Sequence, residues 1–182
     1  QLQPFLDDLY AACEVQGIPL RTAISEYAPG QLELTLEHRF DALQAVDEGI
    51  RYKRIVKGVA NKHGFQACFM AKPFTELAGC GMHMHVSLAD ADGNNLYASE
   101  DRTGTPLLRH SIGGMMTTLL DSLAIFCPNA NSFRRFQANS YAPLALNWGV
   151  NNRTVSFRIP GGPAVSRHIE HRICGADANP YL

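Results

Sequence analysis

The chain has 182 residues, of which 46% are apolar and 18% charged. That is enough for one hydrophobic core of ordinary domain size in a globular composition. A formal net charge of −1 argues against a general nucleic-acid or membrane-surface binder. No secretory signal pattern and no long apolar run occurs, so neither export nor membrane spanning is supported. Five widely spaced cysteines (Cys13, Cys68, Cys80, Cys127, Cys174) without a CxxC pattern fit a reducing cytoplasm better than a disulfide framework.

In chain order, Leu2, Phe5, Leu6, Leu9, Tyr10 and Cys13 recur at helical spacing and predict a helix to about Gln16, stopped by Gly17. Pro29-Gly30 is a turn, and Gln31–Leu36 alternates as a half-buried strand does. A long amphipathic helix is expected from Asp41, its N-cap, to about Asn61, with Ala45, Val46, Ile50, Ile55 and Val59 inward. Gln66–Met70 reads as a strand. Gly81–Leu88 alternates again, with Met82, Met84 and Val86 suited to a core, and Asp90–Asn95 is turn chemistry. Leu107 to about Phe126 reads as a second long helix, weakened by Gly113-Gly114. Asn129–Pro143 is loop-like, and Arg153–Ile159 and His168–Ile173 read as strands. Strands mixed with long helices predict an α+β fold, with helices against a mostly antiparallel sheet.

The basic residues are unevenly placed. All four lysines lie at or before Lys72, and from Arg102 onward there are eight arginines against Asp121, Glu170 and Asp177. Guanidinium groups suit two-point contact with phosphate or carboxylate, so the second half reads as an anion site. His83 and His85, two apart on a predicted strand, share a face. They suit a metal or a phosphate, and equally a solvated strand face. Glu26 and Glu33 flank the Pro29-Gly30 turn, a spacing compatible with a hard divalent cation or with ordinary surface acids. His168, Glu170 and Arg172 alternate on one strand, as a metal ligand among charged neighbours or as exposed ion pairs. Arg134-Arg135, Arg153 and Arg158 complete the parts that phosphoryl transfer requires. No GxxxxGK[ST] pattern is present, so ATP would be held through metal and arginine rather than a P-loop.

Several segments resemble the glutamine synthetase catalytic domain, in order and at suitable spacing. They are Glu26-Tyr-Ala-Pro-Gly-Gln-Leu-Glu33, Lys72-Pro73, Gly79-Cys-Gly-Met-His-Met-His-Val-Ser-Leu88, Asn131-Ser-Phe-Arg-Arg135, Asn152-Arg153, Arg158-Ile-Pro160 and Ile169-Glu170-x-Arg172. The resemblance implies a glutamine synthetase/guanidino kinase-like fold, a curved, mostly antiparallel sheet backed by helices. It implies an ATP-dependent glutamate–amine or glutamate–ammonia ligase working through γ-glutamyl phosphate. Mg²⁺ or Mn²⁺ is the implied cofactor and ATP the co-substrate, in a cytoplasmic homo-oligomer, commonly dodecameric, without nucleic-acid or membrane partners. By position Glu26 and Glu33 match ligands of one metal, and His83 and Glu170 ligands of the other. His85, Ser87 and Arg158 match nucleotide-binding positions. Gly79, Arg135 and Arg172 match glutamate-binding ones, and Arg135 and Arg153 groups that hold the transferring phosphate. On this basis Glu170→Ala is expected to abolish turnover with little loss of folding.

The departures carry information. Tyr141 stands where the family usually has an acid that helps deprotonate ammonium, Ala78 replaces a frequent Asn, and His168 a usual Arg. With the Ala138-Asn-Ser-Tyr141 loop and the Glu170-His-Arg…Asn179-Pro-Tyr181 ending, these resemble the γ-glutamylpolyamine (γ-glutamylputrescine) synthetase branch, which makes Tyr141 a substrate-side residue and an organic amine the nucleophile. Residues 1–182 are then expected to be the core of the catalytic domain, lacking an N-terminal β-grasp domain and a C-terminal helical part, and inactive alone. Ordinary glutamine synthetase, a non-catalytic structural relative and a guanidino kinase are the competing readings, the last ranked low.

Overall fold

The computed structural model describes residues 2–182, and Gln1 lies outside it. Two units form rather than one: residues up to Phe69 together with Pro180–Leu182, and Met70–Asn179. Each has its own buried apolar cluster, so the single core that the length allows is divided.

In the first unit, α1 (Gln3–Val15) buries Phe5, Leu9 and Cys13, the 3.6-residue stripe that the sequence carries. It packs against α2 (Ala42–Lys62) and the antiparallel hairpin of β1 (Leu20–Ser25) and β2 (Leu32–Leu36). The Asp41 carboxylate accepts from the amides of Leu43 and Gln44, as an N-cap should. The buried stripe of α2 is Ile55, Val56, Val59 and Ala60 with Glu48. Ala45 and Ile50 are exposed and Val46 only half-buried, so the N-terminal half of the expected inner face is corrected. There Glu48 turns inward instead, held by Arg39 Nε and Gln44 Nε2, because a buried carboxylate needs such partners. The hairpin turns at Pro29-Gly30: Gln31 N donates to Ala28 O at 3.0 Å, and Gly30 has φ +75°, the type II pattern. Gln66–Met70 is not a strand: an alternating run becomes one only with a ladder partner, and none is present among the described residues.

The second unit contains β3 (Met84–Val86), α3 (Pro106–Thr118), α4 (Leu123–Phe126), α5 (Ala130–Phe133), β4 (Trp148–Val150), β5 (Phe157–Ile159) and β6 (Ile169–His171). Its sheet runs β3-β6-β5-β4, antiparallel except for the parallel β5–β4 edge. The expected second long helix is broken after Thr118, five residues beyond Gly113. Thr117 and Thr118 donate to the carbonyls of Gly113 and Gly114, and Ser122 to that of Thr118; such back-bonding competes with the helical ladder and bends it. The segment expected as loop from Asn129 contains α5, whose start is closed by Asn129 accepting from Asn131 N and Ser132 N while Ser132 Oγ accepts from Asn129 N. β4 runs parallel to β5 through only residues 151–156, a reversal made by Asn151 (φ +51°) and the Asn152 side chain accepting from Thr154 N. The core beneath the sheet is Tyr97, Leu108, Ile112, Leu119, Phe157, Ile159, Ile169 and Ile173. Val86, expected inward, is 39% exposed, since β3 is an edge strand. The architecture is α+β, as the sequence predicts, with small sheets and no closed barrel among the described residues.

Two expectations follow. Asp41→Ala removes the α2 cap and lowers stability by about 1 kcal/mol, read as a drop in the denaturant midpoint with unchanged slope. His171 lies buried against the rings of Phe126 (4.5 Å) and Phe157 (5.0 Å), and burial pushes it down to about 4. The unfolded chain takes this proton near pH 6.5, so the contribution of His171 is complete above that value and is lost as pH falls toward 4. Between pH 7 and pH 4.5 the wild type should lose on the order of 2 kcal/mol more than His171→Leu, measured by thermal unfolding; equal losses would refute it.

Candidate active site

The register of three short strands gathers most of the charged residues that the sequence singles out. Across the sheet Glu170 on β6 pairs with His85 on β3 and with Arg158 on β5. Directly opposed residues share a face, so one face presents His85, Glu170 and Arg158. The other face, through Met84, His171 and Phe157, turns to the core.

Glu170 is only 3% exposed. Its Oε2 accepts from Arg158 Nη1 at 2.6 Å and its Oε1 from Arg172 Nη1. Burial by itself would raise its carboxyl, but the charges of Arg172 and Arg158 outweigh it and hold the group below the usual carboxylate value. His83 Nδ1 lies 3.3 Å from Glu170 Oε1. Burial, joined by the Arg172 charge, pushes His83 down to about 3, so at neutral pH the contact is between a neutral imidazole and a carboxylate. His85 is lowered for the same primary reason. Its Nδ1 is 2.9 Å from His168 Nε2, and His168 Nδ1 is 2.6 Å from the Ser166 carbonyl.

The arginines have distinct placements. Arg158 also donates from Nη2 to Asn151 Oδ1 at 2.7 Å, while the Nε atoms of Arg158 and Arg172 are buried without a partner. Arg153 is exposed, near enough for its charge to lower Arg172. Arg135, expected to hold substrate and phosphate, is 4% exposed and donates to the carbonyls of Ile173 (2.8 Å) and Arg172 (2.9 Å). Here it fastens the chain that continues β6. The reason is that Gly79 and Gly81 let it in: a Cβ on Gly79 would lie 2.6 Å from the Ala71 carbonyl and 2.9 Å from Arg135 Cγ, and one on Gly81 2.6 Å from Arg135 Nη2. Gly79 thereby has a packing reason of its own. Ser87 is exposed just past the end of β3, two residues beyond His85. Tyr141 is 58% exposed with φ +56°, and its carbonyl is 3.5 Å from Arg172 Nη2.

Glu26 and Glu33 lie in the first unit. Ile24 faces Glu33, and Glu26 N donates to Gln31 O, so the two carboxylates are diagonal neighbours on one face of the hairpin. Against the expectation that Glu170→Ala spares folding stands the placement of its partners: removal would leave the buried Arg172 and the half-buried Arg158 without their counter-charge.

A neutral imidazole and an ionised carboxylate side by side are the protonation states that a divalent cation needs. A Cβ on Gly81 would stand 3.2 Å from His83 Nε2, so glycine leaves that nitrogen approachable. His83 and Glu170 therefore fit a two-ligand contribution. No group of three or more His, Cys, Asp or Glu gathers among the described residues. Sequence reasoning missed Asn151, whose signal was the Asn-Asn pair before Arg153, and gave no role to Lys72 of the Lys72-Pro73 segment, whose ammonium is buried against Leu77 O and Gln137 Oε1. Lys72 carried no periodic signal. No helix among the described residues is long and apolar enough to cross a membrane.

The chain matches the profile described as glutamine synthetase, catalytic domain, over residues 1–182. It is 43% identical over 177 residues to the γ-glutamylputrescine synthetase of Escherichia coli, covering 97% of this chain and 38% of that protein. With a glutamate–isopropylamine ligase of a Pseudomonas species it shares 39% identity over 168 residues, 91% of this chain and 36% of the relative. A solved structure described as a GmaS/ADP complex superposes with a TM-score of 0.86 at 31% identity, covering 98% of this chain and 42% of that one. The chain thus spans well under half the length of these relatives. With a profile match over residues 1–182 and, over 97% of its own length, 43% identity to a relative, the chain belongs to the glutamine synthetase catalytic-domain family.

Proposed function

We propose that the protein containing this chain is an ATP-dependent ligase that joins an organic amine, such as putrescine, to the γ-carboxylate of glutamate through γ-glutamyl phosphate. The observation that carries this reading is Tyr141, at the position where the family resemblance implies an acid serving ammonium, supported by the amine-ligase names of the two relatives. An exposed phenol offers an apolar wall with a polar tip, suited to an alkyl amine rather than to a bare cation.

The residues divide the work. Phosphoryl transfer from ATP to the γ-carboxylate needs positive charge around the transferring oxygens, which Arg153 supplies from the surface and Arg158 from beside Glu170. His85 and Ser87 receive the nucleotide. Arg172 and the backbone at Gly79 receive glutamate, with Arg135 supporting that backbone from behind. His83 and Glu170 would hold one Mg²⁺ or Mn²⁺ and Glu26 and Glu33 another, the ions supplying neutralisation of phosphate charge. Phosphorylation converts the carboxylate into an electrophile, and the amine then displaces phosphate beside Tyr141. In this reading residues 1–182 are the catalytic-domain core of a cytoplasmic homo-oligomer, and the segment alone is inactive because its four metal ligands do not fill two sites.

Phosphate release by the full-length protein with ATP, Mg²⁺ and glutamate should be stimulated by putrescine and much less by ammonium; stimulation by ammonium alone would return the protein to glutamine synthetase proper. Glu170→Ala should abolish turnover and also cost about 3–5 kcal/mol of stability. Glu170→Gln should retain most of the fold while losing metal affinity, read by Mn²⁺ titration. Near-normal turnover of Glu170→Gln at saturating Mg²⁺ would remove Glu170 from the metal site.

A further inference from the structure

The segment that carries Tyr141 is held in an unusual shape from below. Asn139 and Tyr141 both have left-handed backbones, φ +61° and +56°. Asparagine tolerates this region, whereas a bulky residue adopts it only where its surroundings impose it. Within the segment Ser140 Oγ donates to the Gln137 carbonyl at 2.5 Å, closing a tight turn. The segment is tied at its end through the Tyr141 carbonyl to Arg172. At its start the tie is the Gln137 side chain, whose Oε1 accepts from Lys72 Nζ at 3.0 Å.

Lys72 is placed to act as a fixed post. It is 5% exposed, and its ammonium also donates to the Leu77 carbonyl at 2.5 Å. Its backbone is clasped on both sides by Asn131, which accepts from Lys72 N at 2.9 Å and donates to Lys72 O at 2.8 Å. Asn131 belongs to α5, itself closed by the Asn129–Ser132 cap. A buried ammonium must have its hydrogens received, so the Gln137 amide oxygen is drawn to a defined point. The adjoining backbone turns from there into Asn139 and Tyr141.

We propose that Gln137 is a positioning residue for the amine substrate: through the buried Lys72 ammonium it pins the start of the Tyr141 segment and so fixes where an alkyl amine is received. This rests on the reading of Tyr141 as the amine-side residue. Gln137 is itself exposed, so its replacement opens no cavity; Gln137→Leu removes one acceptor from the buried ammonium and leaves it the Leu77 carbonyl.

The test is steady-state kinetics of the full-length enzyme, varying putrescine, ammonium, ATP and glutamate in turn. Gln137→Leu should raise the KM for putrescine about tenfold. The KM values for ATP and glutamate should stay within about twofold. Gln137→Glu, which keeps an oxygen on the ammonium, should restore the wild-type KM. A Gln137→Leu enzyme with unchanged KM for putrescine, or with all three KM values raised alike, overturns the inference while leaving the amine-ligase reading intact. A wild type that uses ammonium and no organic amine overturns both.

Discussion

Glu170 lies at the centre of the second unit as a buried anion between two guanidinium groups, and much of the surrounding structure is arranged to make that tolerable. Desolvating a carboxylate is costly, and the cost is met only by close partners with good geometry. Arg158 comes from the adjacent strand and Arg172 from the residue just past the end of β6. Such a triad is weak evidence of net stability, but it specifies register. A slip of β6 by one residue would turn Glu170 into the face formed by Phe157 and Ile159 and turn Ile169 and His171 out of it. The same register brings His83 to the carboxylate, so the constraint that orders the sheet also builds the candidate metal position.

The arginine surplus of the second half proves to serve several ends. Arg158 and Arg172 neutralise Glu170, Arg135 and Arg167 donate to backbone carbonyls, and Arg153 faces solvent. Composition shows a concentration of guanidinium groups, yet it cannot separate one that meets a ligand from one that closes a backbone gap. The difference depends on which carbonyls the fold leaves without partners, here those of Arg172 and Ile173, and on glycines at 79 and 81 that open the approach. The unpartnered Nε atoms of Arg158 and Arg172 mark where donor capacity remains beside Glu170.

Loop geometry adds a second layer of placement. The Pro29-Gly30 turn sets Glu26 and Glu33 on one face of a hairpin, a purely local arrangement. Around Tyr141 the shape is imposed from elsewhere, by Lys72 fifty-nine residues before the Asn131 that clasps it and sixty-five before Gln137. Strained backbone held by its surroundings is where recognition tends to reside, and here it coincides with Tyr141, the residue proposed to face the amine.

Local pattern sufficed for α1, for α2 with its Asp41 cap, for the Pro29-Gly30 turn and the Asp90–Asn95 turn, because period, cap and turn residues act within a few positions of one another. The motif order likewise sufficed for the family and for the α+β class. Tertiary structure alone decided that Gln66–Met70 has no ladder partner, that β4 joins the sheet parallel to β5, that the second long helix breaks after Thr118, that Val86 faces solvent, and that Arg135 points into the protein. Each of these depends on a partner many residues away, a ladder strand, a buried carbonyl or a glycine gap. Periodicity along the chain carries no information about which distant group will be there to meet it.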